Sequence, residues 1–325
     1  MLLNSLEAVF IIFVIIGVGL FVSWRKWVSR ETAKALPKII INISLPATIA
    51  YNIYQDFPKE RLINAWLPLL IIFAVTVAVY YLAMLAAWLL RIPRHRRGVF
   101  IVSMAFSNSS FIGFPVAVAL FGEEGMLYAV LYFLAGLVTF WLIGNYAIER
   151  DADAANGHAQ LKSIGQSIKK LAQPPTVATV IIFIIILAGI KLPDFILSTA
   201  KYIGDLNTPL SLIFIGCMIY NMGFAGMKWE KDLAPVLLGR FVVVPLVCFV
   251  LSTLGVLLFT PTLTAEHIFM REVFVVQIGL PALMQTVISA EVYGADTEFA
   301  TKCIFYTTAL SLITIPAFML LLSAA

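Results

Sequence analysis

The chain of 325 residues is 61% hydrophobic and 12% charged, with 22 Lys and Arg against 18 Asp and Glu. Soluble domains carry about a quarter charged residues, so this composition excludes a soluble globular fold, and its many bulky apolar residues exclude a disordered chain. The small basic excess is scattered between apolar runs, which excludes a nucleic-acid surface and leaves a polytopic membrane protein.

A hydrocarbon core of about 30 Å takes about 20 residues of apolar helix. Ten candidate spans follow in order: Leu6–Val22, Pro37–Tyr54, Ala65–Leu90, Gly98–Phe121, Met126–Ile148, Pro174–Ile190, Tyr202–Tyr220, Leu233–Phe259, Val273–Val292 and Phe299–Leu322. They are too long and too little alternating for barrel strands. The fold class predicted is therefore all-α. The first run follows a stretch without basic residues and precedes a basic cluster, so it reads as a retained span and not a cleaved signal peptide. Cys217, Cys248 and Cys303 stand far apart in or beside apolar stretches and read as small apolar fillers, not as a disulfide framework.

Loops after the odd-numbered spans hold 16 Lys and Arg, among them Arg25, Lys26, Arg91, Arg94, Arg96 and Arg97. Loops after the even-numbered spans hold five: Lys59, Arg61, Lys191, Lys201 and Arg271. The positive-inside bias places the first set in the cytoplasm and both termini outside. One inner loop runs against the bias, with Glu291, Asp296 and Glu298 against Lys302. The longest polar stretch, Glu149–Gln173, falls on the inner side. Its Leu161, Ile164, Ile168 and Leu171 recur at helical spacing among lysines, which suits either a helix lying on an anionic leaflet or a solvated linker.

That loop divides the chain into residues 1–148, a connecting segment 149–173, and residues 174–325. Each half has five spans, and an odd number gives the halves opposite orientation. Ile112-Gly113-Phe114-Pro115 in the fourth span is echoed by Ile278-Gly279-Leu280-Pro281 in the ninth. Asn42 and Pro46 in the second span are echoed by Asn207, Thr208 and Pro209 in the seventh. Paired interruptions at corresponding places are the mark of an inverted-repeat transporter. Proline removes an N–H and clashes with the preceding turn, so Pro115 and Pro281 are predicted to break their helices, with Gly113 and Gly279 taking unusual backbone angles. Half-helices starting at the two prolines would aim positive dipole ends at the midplane and attract an anion. Ser107, Asn108, Ser109 and Ser110 offer donors beside the first break; Gln277 and Gln285 flank the second. Asn42 and Asn207 read either as ligand contacts or as amides bonding a neighbouring helix. Arg240, inside the eighth span, reads either as an attractor for an anion or as a side chain snorkelling to the interface, and snorkelling is predicted for Lys302.

The stretch from Ser107 through Pro115, with Leu120-Phe121-Gly122, resembles the fourth helix of the auxin efflux carrier family. Leu280-Pro281 through Tyr293 is similar to its ninth helix, and Thr308 through Pro316 to its ending. The resemblance implies ten helices with broken, crossing helices 4 and 9. Helices 1, 2, 6 and 7 would form a scaffold, often dimeric, and the rest an elevator-like moving domain. It puts Asn108 at the family's substrate-contacting Asn. The short central loop is similar to that of bacterial or archaeal members associated with malate, malonate and similar carboxylates. Thr286 replaces a proline of the plant pattern, which argues against auxin itself. The expected function is transport of a small organic anion across a bacterial or archaeal cell membrane. Ion-coupled symport and a channel or sensor remain alternatives. No enzyme motif, cofactor or metal site is expected, and no buried carboxylate presents itself as a proton carrier.

Overall fold

The computed structural model describes residues 2–33, 35–56, 58–156, 174–222 and 228–323. Among them all regular structure is helical. In hydrocarbon every backbone N–H needs a partner within its own segment, and long apolar runs meet that demand by winding into helices. The principal helices are α1 (Leu2–Trp24), α2 (Leu45–Asp56), α3 (Trp66–Leu89), α4 (Arg94–Ala105), α5 (Phe114–Phe121), α6 (Glu124–Thr139), α7 (Asn145–Asn156), α8 (Pro174–Leu187), α9 (Asp194–Gly204), α10 (Asn207–Met222), α11 (Leu233–Leu238), α12 (Val244–Phe259), α13 (Ala265–Ile278), α14 (Gln285–Tyr293) and α15 (Thr297–Ser323). Among the described residues four helical stretches, Leu62–Leu89, Glu124–Ala152, Asp194–Asn221 and Leu233–Phe259, are long and apolar enough to cross a bilayer. Val14–Trp24, Phe111–Phe121 and Pro174–Leu187 are shorter apolar helices. The surface helix expected around Leu161–Leu171 lies outside the described residues.

Small residues set the closest approaches. A Cβ on Gly19 of α1 would stand 2.2 Å from the Ile213 carbonyl oxygen, and one on Gly216 of α10 would stand 2.1 Å from that of Ile16, so α1 and α10 touch backbone to backbone. Gly98 lets α4 close on α7 at Ala147 in the same way. The helix pair α8 and α9 packs on α2, where Thr48 Oγ1 donates to the Gly204 carbonyl at 2.8 Å. The largest apolar core joins α3, α4, α6, α12, α13 and α15 through residues such as Phe100, Phe274 and Phe299. Cys217, Cys248 and Cys303 are free and buried.

Among the described residues four π turns interrupt the helices: Ile40–Ser44, Ser109–Gly113, Phe140–Gly144 and Gly239–Val243. Three of them end two residues before a proline: Pro46, Pro115 and Pro245. A proline ring clashes with the carbonyl four residues back and cannot donate to it. Winding the preceding turn wider, with an N–H bonding the carbonyl five residues back, moves that carbonyl aside. Leu45 N–H to Ile40 O, Phe114 N–H to Ser109 O and Val244 N–H to Gly239 O are these bonds. This corrects the reading of Pro115 as a helix breaker, because helical winding runs from Ser109 to Phe121 through it. Gly113 and Gly279 also adopt ordinary angles, with φ of −63° and −81°.

On one face, charged side chains tie three segments together. Arg96 at the start of α4 contacts Glu230 (2.7 Å), Asp232 (3.1 Å) and Asp296 (2.8 Å). Lys302 in α15 contacts Glu230 (2.5 Å) and Glu298 (2.6 Å). Lys302 is buried among these carboxylates, so the expected snorkelling does not occur; two acidic neighbours satisfy its ammonium where it stands. Two of the acidic residues that ran against the charge bias, Asp296 and Glu298, are partners of Arg96 and Lys302. Among the described residues two carboxylates of α7, Glu149 and Asp151, are buried, and Asp151 pairs with Arg150 at 2.9 Å.

Candidate functional site

The real interruptions lie at residues 106–108, between α4 and the first π turn after it, and at 279–284, between α13 and α14. At each the chain becomes extended, and the two extended pieces pair. Asn108 N–H donates to the Pro281 carbonyl at 2.9 Å and Leu283 N–H to the Phe106 carbonyl at 3.0 Å, making an antiparallel bridge of Ser107 with Ala282. The helical segments that leave the breaks therefore begin at Ser109 and Gln285, not at Pro115 and Pro281. The two Ile-Gly-x-Pro copies do not occupy equivalent places: one follows its break, the other enters it.

Side chains complete the accounting for the freed backbone. Arg240 is fully buried, and its guanidinium donates to the carbonyls of Leu280 (2.7 Å), Met104 (2.8 Å) and Ile278 (2.9 Å). Met104 closes α4 and Ile278 closes α13, so one guanidinium holds the carbonyl ends of both. Each such end carries about half a negative charge, and two of them balance one guanidinium. Neither sequence reading of Arg240 describes this: it is fully buried, and all three of its guanidinium nitrogens donate to carbonyls. The Ala282 N–H donates to Thr307 Oγ1 at 3.1 Å. Gln277 Nε2 donates to the Gly113 carbonyl at 2.8 Å, and a Cβ on Gly113 would stand 2.3 Å from Gln277 Oε1. A side chain at Gly113 would push the Gln277 amide aside, and one at Gly279 would meet the Phe318 ring, 2.5 Å from where its Cβ would be.

Beside the crossed breaks lies a cavity of about 170 Å³. Ser107, Asn108, Ser109 and Gln285 line it, so both helix starts border one space. The side chain of Ser110 lies outside the described set. Gly113, Pro115, Gln277, Gly279, Pro281 and Arg240 form the frame behind the cavity and do not line it. Asn207 heads α10, buried and with Oδ1 unpartnered, away from this space. Asn42 is exposed and bonds the Lys38 carbonyl of its own helix at 2.7 Å. The remaining wall is aromatic and aliphatic: Phe106, Phe133, Phe140, Trp141 and Ile288, with Pro37 and Ile41 from the helix ahead of α2. Tyr132, which the sequence reading passed over, lines it too, its hydroxyl 2.5 Å from Ser107 Oγ. The fifth span also carries hydroxyls on Tyr128, Thr139 and Tyr146, so nothing in the sequence singles Tyr132 out.

Asn108 is the distinctive polar group. It stands at the N-cap of the segment starting at Ser109, where Asn ordinarily caps, yet it makes no cap bond. It is 2% exposed, and its Oδ1 has no partner. A second polar chain crosses nearby: Ser289 Oγ donates to Asn145 Oδ1 (2.8 Å) and Asn145 Nδ2 to the Tyr293 hydroxyl (2.9 Å), fastening α14 to α7.

Apolar helices that meet at a hydrogen-bonded double break beside a polar-ended cavity suit an integral membrane transporter. The family model described as membrane transport protein matches residues 4–319, and the chain belongs to that family, the auxin efflux carriers its sequence resembles. The chain is 27% identical to the uncharacterized transporter MJ1031 of Methanocaldococcus jannaschii, over 95% of this chain and 96% of that protein. It is 24% identical to an uncharacterized transporter of Methanothermobacter thermautotrophicus, over 98% and 99% of the two chains. It is 22% identical to the uncharacterized transporter YfdV of Escherichia coli K12, over 89% and 88%.

Proposed function

We propose that this protein is a secondary transporter of a small organic carboxylate anion, of the kind of malate, malonate or an auxin-like acid. The observation that carries the reading is the uncapped Asn108 at one of two helix starts that share a cavity. Each start presents the positive end of a helical segment, about half a charge at most, so the pair suits roughly one carboxylate. The carbonyl ends at the same crossing are already matched by Arg240, which leaves the positive ends unanswered. The aromatic wall suits an organic body behind the carboxylate.

The proposal includes ten spans as two inverted halves, residues 1–148 and 174–325, with both termini outside and the 149–173 segment in the cytoplasm. Support comes from the charge bias and from the ion pairs that gather the loops after spans three, seven and nine on one face. It includes an elevator-like cycle in which the crossed helices move against a scaffold of spans 1, 2, 6 and 7. The cavity's walls are drawn from both groups. A homodimer through the scaffold belongs to the same reading; α9 turns Phe195 and Tyr202 outward there. A proton-coupled variant has one observation in its favour: Glu272 in α13 is half-buried with no ion pair among the described residues.

The test is uptake of labelled malate, malonate, lactate and indole-3-acetate by the purified protein in liposomes. Saturable flux of one carboxylate, competed by its relatives, is expected. Flux of none, or unsaturable flux of many unrelated ions, overturns the proposal.

A further inference from the structure

Lys26 and Arg91 are the only non-glycine residues with positive φ among those described, at +59° and +53°. Both follow the last turn of an apolar helix that ends in exposed tryptophan, Trp24 in α1 and Trp88 in α3. At Arg91 the winding closes with Ile92 N–H to Ala87 O (3.0 Å) and Arg91 N–H to Trp88 O (3.1 Å). Helices that end this way normally place glycine at the left-handed position, since any Cβ is strained there. A cation kept at such a position invites a chemical reason.

Arg91 opens onto a cleft of about 600 Å³ between the end of α3 and the start of α11. Lys231 lines it from the other side. Both are exposed, and neither has a carboxylate partner among the described residues. The one acidic side chain in the lining, Asp232, is already held by Arg96 at 3.1 Å. Leu90 and Leu238 complete a lipid-like wall, 51% and 60% exposed, and Trp88 one turn away is 67% exposed. Exposed tryptophan at the end of a membrane helix marks the headgroup level, and paired cations between helices at that level suit a phosphate.

We propose that this cleft binds an anionic phospholipid, its phosphodiester between Arg91 and Lys231 and its chains along Leu90 and Leu238. A soluble phosphate would satisfy the cations but has no use for the apolar wall. The site requires only that the chain sits in a bilayer, so it stands or falls separately from the transported substrate.

Native mass spectrometry of the full chain, released from mixed phosphatidylglycerol and phosphatidylcholine micelles, tests it. The wild type is expected to retain phosphatidylglycerol, and Arg91→Gln/Lys231→Gln to lose about tenfold or more of that retention. Arg94→Gln/Lys228→Gln, which removes two exposed cations outside the cleft, should retain the lipid as the wild type does. Melting curves in detergent report whether each variant is folded, and both exchanges are at exposed positions. Equal retention of phosphatidylcholine, or undiminished phosphatidylglycerol on the double variant, overturns the proposal. Equal thermal protection by inorganic phosphate alone would make this a soluble-anion site and also overturns it.

Discussion

At the scale of single residues, three positions around the crossing answer different demands, and substitution should separate them. Asn108 has its amide free for a ligand. Asn108→Ala should leave the melting temperature nearly unchanged while weakening carboxylate affinity about tenfold or more, since a hydrogen bond to a charged group contributes roughly 1.5–3 kcal/mol. A flux assay with unchanged affinity would remove Asn108 from the site. Arg240 should behave in the opposite way. Arg240→Gln leaves the carbonyls of Met104, Ile278 and Leu280 short of donors in a dry interior, each at a cost of about 1–3 kcal/mol. The variant should lose stability and yield of folded protein before any question of substrate arises, and a melting curve in detergent reads this directly. Gly113→Ala should fall between the two. Its new methyl meets Gln277 Oε1 at the far end of a flexible side chain, so Gln277 must withdraw and give up its bond to the Gly113 carbonyl. None of these distinctions can be read from composition. Asn108, Gly113 and Arg240 all look like polar or breaking residues in apolar runs, and only the folded chain separates a group that faces a ligand from one that faces a carbonyl.

At the scale of elements, the apolar runs were legible because length and hydrophobicity alone dictate helix in a membrane. Their interruptions were legible only in part. The sequence marks the fourth and ninth spans through Gly and Pro, and both are broken. The place of the first break is misread because proline signals an interrupted ladder without saying how the chain absorbs it. Pro46, Pro115 and Pro245 are each absorbed by a π turn, while Phe106–Asn108, with no proline, takes the true extended conformation. What holds that break open is long-range: the backbone of residues 281–283, Thr307 and Arg240. Thr307→Val should therefore disturb the second break more than Pro281→Ala does, because it strands the Ala282 amide while Pro281→Ala keeps the carbonyl that Asn108 uses. Loss of several degrees in melting temperature for Thr307→Val, against a smaller loss for Pro281→Ala, is the expected order. The ion-pair face gives an element-level pH dependence. The Lys302 ammonium, then the Arg96 guanidinium, hold the Glu230 carboxyl below its ordinary value of 4.5, against the effect of burial. A lowered folded value means the stabilisation is complete above the ordinary carboxylate range and is lost as pH falls through the folded value. Melting temperature should drop more steeply for the wild type than for Glu230→Gln as pH is lowered below about 4. Parallel curves would show that these pairs contribute nothing across that range.

At the scale of the whole molecule, the proposed orientation and the proposed cargo make separate predictions. A cysteine at Gly157, on a background without the three native cysteines, should be protected from an impermeant external reagent in intact cells and labelled after permeabilisation. Labelling in intact cells would reverse the orientation. A carrier moving one uncompensated negative charge feels about 2.3 kcal/mol per 100 mV. A potassium–valinomycin potential across liposomes should then change the flux with the sign of a moving anion, favouring exit from the negative side. Flux that ignores the potential but follows a pH gradient would indicate electroneutral proton symport, and Glu272 would be the first carboxylate to replace.

The bridge between Ser107 and Ala282 has a mechanical consequence. Two helices that are each cut in the middle would ordinarily be four pieces free to shear past one another. Knotted at the cut by two backbone hydrogen bonds and clamped by one guanidinium, they form a single rigid truss with one set of motions. Pro37 and Ile41 also line the cavity, and in the proposed cycle they belong to the scaffold. In the proposed elevator-like cycle, the stroke would open the seam along Pro37 and Ile41 and leave the bridge intact. A pair at a non-hydrogen-bonded antiparallel position has its Cα atoms about 4.5 Å apart, within disulfide reach. Ser107→Cys/Ala282→Cys should therefore cross-link readily, and its flux after oxidation should match its flux after reduction. A cross-link that stops transport would mean that the truss unlocks in every cycle.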